Sequence, residues 1–335
     1  MQKLLIKGKK YLTGSISISG SKNATLPILA ASILANKTKL KNVPFVKDIF
    51  TMLDLLKFIG INVKIDTKQK IIELANNNLS INTLAPYKLV KTMRAGILVL
   101  GPLLTKYGKA KVSLPGGCAI GTRPVDIHLF ALKKLGAKIK IKDGYIIAEA
   151  KKGLIGANIK FPSISVGATE NALIAAQGAK GQTILSNCAI EPEVIDLISY
   201  LKKNGSKIKI SGRKISVIGK GKIKKKIEHK IIFDRIEAGT YLVAGALAGD
   251  KIIISKIIPK ILKYEIDILK KMGVKISYNK NSIVIKKSKN IKKINVSTKP
   301  YPGFPTDLQA QLMVLMTQAN GLSKIKENIF ENRFM

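Results

Sequence analysis

Four segments of this chain share one pattern: DLLKFIGINVKID, HLFALKKLGAKIKIK, DLISYLKKNGSKIKIS and EIDILKKMGVKISYN. In each, apolar residues at helical spacing run to a glycine, and strict alternation follows. The glycines are Gly60, Gly136, Gly205 and Gly273, spaced 76, 69 and 68 residues apart. A glycine suits the left-handed position that ends a helix, and Lys-Ile alternation after it reads as a strand with one buried face. Before each copy stands a helix of small apolar residues, as in LPILAASILA, ALIAAQGA and YLVAGALA, and then a short strand such as TKLKN, QTILSN or KIIIS. So long a period predicts repeated α/β units packed around shared cores. A fifth unit opens with QLMVLMTQANGLSKIKENIF and reaches Met335 before its glycine-capped helix, so the architecture is expected to be cut short.

Composition excludes several classes. The longest apolar run, near Ala95–Leu104, is too short to span a bilayer. The N-terminus has no continuous apolar core, so no signal peptide is expected. Two cysteines, Cys118 and Cys188, exclude a disulfide framework and suit a reducing cytoplasm. With His128 and His229 they form no zinc spacing. The formal charge of +39 points either to nucleic acid or to biased composition. Only five of the 59 basic residues are arginine, lysine is spread along the whole chain, and Lys, Ile and Asn crowd it together. These three share A/T-rich codons, so composition is the expected cause and no specific nucleic-acid partner is expected. The lysine-rich stretches at 219–230 and 286–293 read as solvated hairpins or a domain junction.

Four stretches break the repeat's pattern. In SISGSKNATLPILAA a strand gives way at Gly20-Ser21 to a helix opened by Lys22-Asn23. Backbone N–H groups there, with a lysine ammonium, make an anion site; a serine cap with an exposed lysine is the alternative. In KLVKTMRAGILVLGP, Arg94 opens an apolar helix, where its planar fork can grip a phosphate or carboxylate or serve in an ion pair. In LPGGCAIGTRPVDIH, glycines on both sides of Cys118 give a loop that can approach a ligand, and Arg123 can lower the thiol pKa. Cys188, in SNCAI, reads as a small apolar side chain. In YPGFPTDLQAQ, Thr306-Asp307 caps a helix behind two prolines; a carboxylate so held can also deprotonate a hydroxyl. No phosphate loop, dinucleotide fingerprint or nucleophile elbow is present.

The runs GSKNATLPILAA, KTMRAGILVLGP, SLPGGCAIGTRPVDIHL, SVGATE, EPEVIDL, DRIEAGT, FPTDLQAQ and ENRFM resemble the enolpyruvyl transferases, in family order from Met1 to Met335. The likeness is to the branch that acts on UDP-N-acetylglucosamine in the first committed step of peptidoglycan synthesis. The cysteine loop and the Lys-Asn pair set it apart from the branch of aromatic amino-acid synthesis. The resemblance implies an inside-out α/β barrel of two domains, each of three similar units, with the active site in the cleft between them. It implies a first domain over 22–232, and a second formed by 1–21 with 233–335. The implied reaction moves enolpyruvate from phosphoenolpyruvate to the sugar 3-hydroxyl and releases phosphate, with no metal or organic cofactor.

The resemblance also implies roles. Cys118 protonates the methylene carbon of phosphoenolpyruvate and is the nucleophile that fosfomycin alkylates. Lys22, Asn23, Arg94 and Arg123 meet the anionic substrates. Pro124, Val125, Asp126 and Ile127 meet the UDP moiety, as do Ser163, Ile164, Ser165 and Val166. Asp307 binds the sugar hydroxyl and takes its proton, Ile329 packs near the nucleotide sugar, and Arg333 supports the closed site. Leu98 stands where the family usually has an aromatic residue. The family chain also continues for a further unit and a half after ENRFM, with a DxRA run and a later arginine for phosphoenolpyruvate. The expected second domain is therefore incomplete, and a separate polypeptide could supply the rest. A non-catalytic remnant or one half of a split enzyme stands as the alternative.

Overall fold

A computed structural model describes residues 3–5, 7–8, 11–76, 81–116, 125–219, 226–288 and 290–334. The chain divides into two compact units, residues 20–232 and residues 1–19 with 233–335.

The four repeat glycines all have positive φ, at 112°, 93°, 103° and 88° in chain order. Each closes its helix in the same way. The N–H of the residue after the glycine reaches back five residues: Ile61 to Leu56, Ala137 to Leu132, Ser206 to Leu201 and Val274 to Leu269. This is the Schellman arrangement, which satisfies carbonyls that the helix end would otherwise leave open.

In unit 20–232 three four-stranded sheets share one order. The first runs Ile227–Lys230, Lys37–Lys41, Ile71–Ala75, Asn62–Asp66. The second runs Leu84–Ala85, Lys109–Ser113, Tyr145–Glu149, Lys138–Lys142. The third, read in the same sense, runs Asn158–Lys160, Gln182–Ser186, Lys214–Ile218, Lys207–Ser211. In each, the first strand is parallel to the second and the other pairings are antiparallel. The Lys-Ile strand is always an edge, where lysines blunt the open ladder against a second chain.

The small-residue helices lie inside. Val166–Ala176 is buried at every residue from Ala168 to Ala176, and Lys22–Ala31 from Ala24 to Ala31. A helix buried all round has no polar face to offer water, which explains its Ala-rich sequence. The glycine-capped helices Lys47–Ile59, Asp126–Lys134 and Pro192–Lys203 bury one face only. Helices within and sheets without make this an inside-out α/β architecture.

The lysine-rich stretch 219–230 corrects one expectation. Its last part, Ile227–Lys230, is a strand that completes the first sheet and buries Ile227 and His229. Beneath it, Tyr200 shares a 2.8 Å hydrogen bond with Thr38 and meets the His229 ring edge-on. His229 Nε2 lies 3.0 Å from Asp196. Periodicity hid this strand because its buried and exposed positions sit beside a long charge run.

Unit 1–19 with 233–335 carries a fourth sheet of the same order: Leu12–Ser17, Gly249–Ser255, Ser282–Lys286, Lys275–Tyr278. Its parallel strand is the N-terminal one. The helix Arg235–Ala248 behind it starts at Asp234, whose carboxylate accepts the N–H of Ile236 and Glu237. Residues after 290 add the helix Gln309–Met316 and two short parallel pairs, Ile291–Lys292 with Ala319–Asn320 and Asn295–Ser297 with Lys324–Lys326. Among the described residues, no helix is long and apolar enough to cross a membrane.

Candidate active site

In unit 20–232 the repeat's helix starts collect most of the candidates. Ser21 caps Lys22–Ala31 by accepting the Ala24 N–H. A Cβ on Gly20 would overlap the Asn42 carbonyl, so only glycine lets the strand turn into this helix here. Lys22 is half-buried and Asn23 exposed at the first turn. The Lys22 ammonium does not stand alone: it forms a 3.1 Å ion pair with Asp48. Sequence reasoning missed Asp48, which opens the helix Lys47–Ile59; the signal was a Lys-Asp pair directly after VPFV.

Arg94 opens the expected apolar helix, which begins as a 3-10 helix, Arg94–Val99, and continues in α geometry from Leu100. Arg94 is half-buried, and its charge is felt by His128. Leu98, in the same turn, is buried.

Ser165 caps Val166–Ala176 through its Oγ, which accepts the Ala168 N–H, and its carbonyl accepts the Thr169 hydroxyl at 2.7 Å. Ser163 is exposed, Ile164 and Ser165 half-buried, and Val166 exposed. Among the described residues, the N–H groups of Val166 and Gly167 have no hydrogen-bond acceptor, as an anion site requires. Val125 is buried at the entrance to Asp126–Lys134, with Asp126 exposed and Ile127 half-buried at its first turn. Cys118, Arg123 and Pro124 lie outside the described residues.

Cys188 is fully buried, and burial pushes its thiol pKa up to about 12. That fits a small apolar side chain with no nucleophilic character at neutral pH. His128, also buried, is pushed down to about 4 by burial first and by Arg94 second.

In unit 1–19 with 233–335, Asp307 lies inside the 3-10 turn Thr306–Leu308 and makes no side-chain cap. The expected capping role is thus corrected: Pro305 sets the entry, and the carboxylate is left for another partner. That partner is Arg333, whose guanidinium donates to Asp307 at 3.4 Å and to the Thr306 carbonyl at 3.0 Å. The structure therefore brings these two candidates together. Glu327, which sequence reasoning passed over, anchors the segment. It accepts the hydroxyls of Thr298 and Thr306 and the N–H groups of Ile329 and Phe330. Ile329 remains 37% exposed, available for contact.

Residues 6–335 match the family model described as EPSP synthase (3-phosphoshikimate 1-carboxyvinyltransferase). A UDP-N-acetylglucosamine 1-carboxyvinyltransferase of Pelagibacter ubique is 60% identical over 100% of this chain and 80% of its own length. One of Rickettsia akari is 49% identical over the same shares. Among solved structures, the enolpyruvyl transferase NikO of Streptomyces tendae matches with a TM-score of 0.84 at 20% identity, covering 98% of this chain and 78% of that one. An EPSP synthase of Acinetobacter baumannii matches at 0.69 and 18% identity, covering 95% and 74%. At these identities the structural likeness carries the fold alone.

Proposed function

This chain belongs to the enolpyruvyl transferase family, and we propose that it transfers enolpyruvate from phosphoenolpyruvate to the 3-hydroxyl of UDP-N-acetylglucosamine, releasing phosphate. The observation that carries the choice of acceptor is the 60% identity to a UDP-N-acetylglucosamine 1-carboxyvinyltransferase over the whole of this chain. The reaction would take place in the cytoplasm, where cell-wall precursors are made.

In this reading Asp307, oriented by Arg333, takes the proton of the sugar hydroxyl as its oxygen attacks C2 of phosphoenolpyruvate. The Cys118 thiol gives its proton to the methylene carbon. The tetrahedral adduct then loses a proton from its new methyl group and expels phosphate, which restores the double bond on the acceptor. Lys22, Arg94 and Arg123 hold the negative charge that collects on phosphate and carboxylate through both steps. The helix start at Ser163–Val166 takes the diphosphate, and Pro124, Val125, Asp126 and Ile127 take the uridine. Asn23 and Ile329 contact the sugar. None of these steps calls for a metal or an organic cofactor.

The experiment is titration of the purified chain with UDP-N-acetylglucosamine by calorimetry, repeated with Asp307→Ala. Saturable binding that weakens in the variant is expected. Absence of binding by the parent chain, or equal affinity in both, would overturn the reading.

A further inference from the structure

Next to the helix start at Ser165 stands a buried histidine that the reaction above does not use. We propose that Asn171 is a positioning residue which locks His128 as an Nε2–H donor, aimed at the first turn of Val166–Ala176, where it hydrogen-bonds the diphosphate of a bound UDP-sugar. The diphosphate half rests on the function proposed above.

Asn171 is fully buried, and its amide is fixed by the main chain. Its Oδ1 accepts the Gly101 N–H at 2.9 Å, and its Nδ2 donates to the Ile97 carbonyl at 3.2 Å. A backbone N–H can only donate and a carbonyl can only accept, so the amide has one orientation. That orientation turns Nδ2 toward His128 Nδ1 at 3.2 Å. Two donors cannot share a hydrogen bond. Nδ1 therefore presents its lone pair, and the ring proton sits on Nε2. Burial and Arg94 together keep the ring neutral through the physiological range.

The Nε2 edge has a direction. A Cβ on Gly167 would stand 3.1 Å from His128 Cε1 and 3.3 Å from Nε2. Gly167 is the second residue of Val166–Ala176, so the ring edge lies against the first turn, where N–H groups have no intrahelical acceptor. No acceptor for Nε2–H is found among the described residues. His128 is 4% exposed, and its Nε2 is not among the fully buried side-chain atoms without a partner, so the little surface the ring keeps includes this nitrogen and a ligand can reach it. Gly101 makes the arrangement possible from the other side, since a Cβ there would overlap Asn171 Oδ1. Two glycines thus clear space for one asparagine and one imidazole. A neutral donor placed there adds a hydrogen bond to a diphosphate oxygen without adding a proton that pH could remove.

The test uses the full chain labelled with 15N-histidine, with long-range 15N–1H correlation spectra and His128→Gln to assign the ring. Protonated Nε2 and unprotonated Nδ1 are expected from pH 6 to 8, with the Nε2–H signal moving on addition of UDP. Calorimetry with UDP is the second arm. His128→Phe and Asn171→Leu should each weaken binding about ten-fold or more, whereas His128→Gln, whose amide can donate from the same place, should stay within about three-fold of the parent. A proton on Nδ1 in the parent chain overturns the inference whatever the variants do. Unchanged UDP affinity in a folded Asn171→Leu overturns it as well. A parent chain that binds no UDP overturns the diphosphate half together with the proposed function, while the tautomer spectrum still decides what Asn171 does.

Discussion

The two thiols of this chain differ in chemistry because they differ in setting. Cys188 is fully buried, with a pKa pushed up to about 12, so almost none of it is thiolate at neutral pH. Cys118 follows two glycines and precedes Gly121 and Arg123. Treatment of the native chain with fosfomycin should therefore alkylate Cys118 and spare Cys188, read by peptide mass spectrometry. Adducts on Cys188, or on neither, would count against the role given to Cys118. A second prediction concerns Glu170. It is buried, with one carboxylate oxygen lacking a hydrogen-bond partner among the described residues. Burial first, and then Glu193 and Glu191, hold its pKa well above the ordinary carboxylate value. An unfolded glutamate ionises near pH 4–5 while the folded one keeps its proton to higher pH. Unfolding then releases a proton, so this group's contribution to stability falls as pH rises above that range. Glu170→Gln removes the dependence. Its melting temperature should match the parent near pH 4 and exceed it increasingly toward pH 8; parallel curves would contradict this.

At the scale of elements, the repeat was legible because glycine and alternation each have a single physical meaning. Gly60, Gly136, Gly205 and Gly273 fell at left-handed helix ends, and the Lys-Ile runs fell in strands. What alternation could not say is that all four such strands are sheet edges, since edge and centre share the same period on one buried face. Ile227–Lys230 escaped because local charge masked a pairing that spans most of its unit. Asp307 was readable as a helix-start residue, but its partner Arg333 stands 26 positions away, and nothing local announces that pairing. The His128–Asn171 contact spans 43 positions and was invisible for the same reason. Gly136 offers a clean test of the capping argument. Its φ is 93° and nothing lies within 4 Å of where a Cβ would stand, so only backbone strain opposes a side chain. Gly136→Ala should cost about 1–2 kcal/mol in denaturant unfolding. Gly136→Asn should cost less, because asparagine tolerates the left-handed region. An alanine variant as stable as the parent would contradict the assignment.

At the scale of the whole molecule, charge and function point in different directions. A formal charge of +39 gives a positive field that favours anionic substrates and also attracts any polyanion. Because lysine is spread along the chain, binding to random duplex DNA should be non-specific and should vanish between 50 and 200 mM salt, roughly as counterion release requires. Sequence-selective binding at physiological salt would instead make nucleic acid a partner. The choice of acceptor is the sharper question. The family model is named for 3-phosphoshikimate, whereas the curated relatives at 60% and 49% identity are named for UDP-N-acetylglucosamine. The most direct measurement offers phosphoenolpyruvate and both acceptors to the purified chain and reads the products by mass spectrometry. Enolpyruvyl-UDP-N-acetylglucosamine with equimolar phosphate, and no 5-enolpyruvylshikimate 3-phosphate, is the expected result. Transfer to shikimate 3-phosphate, or to neither acceptor, would contradict the proposed function.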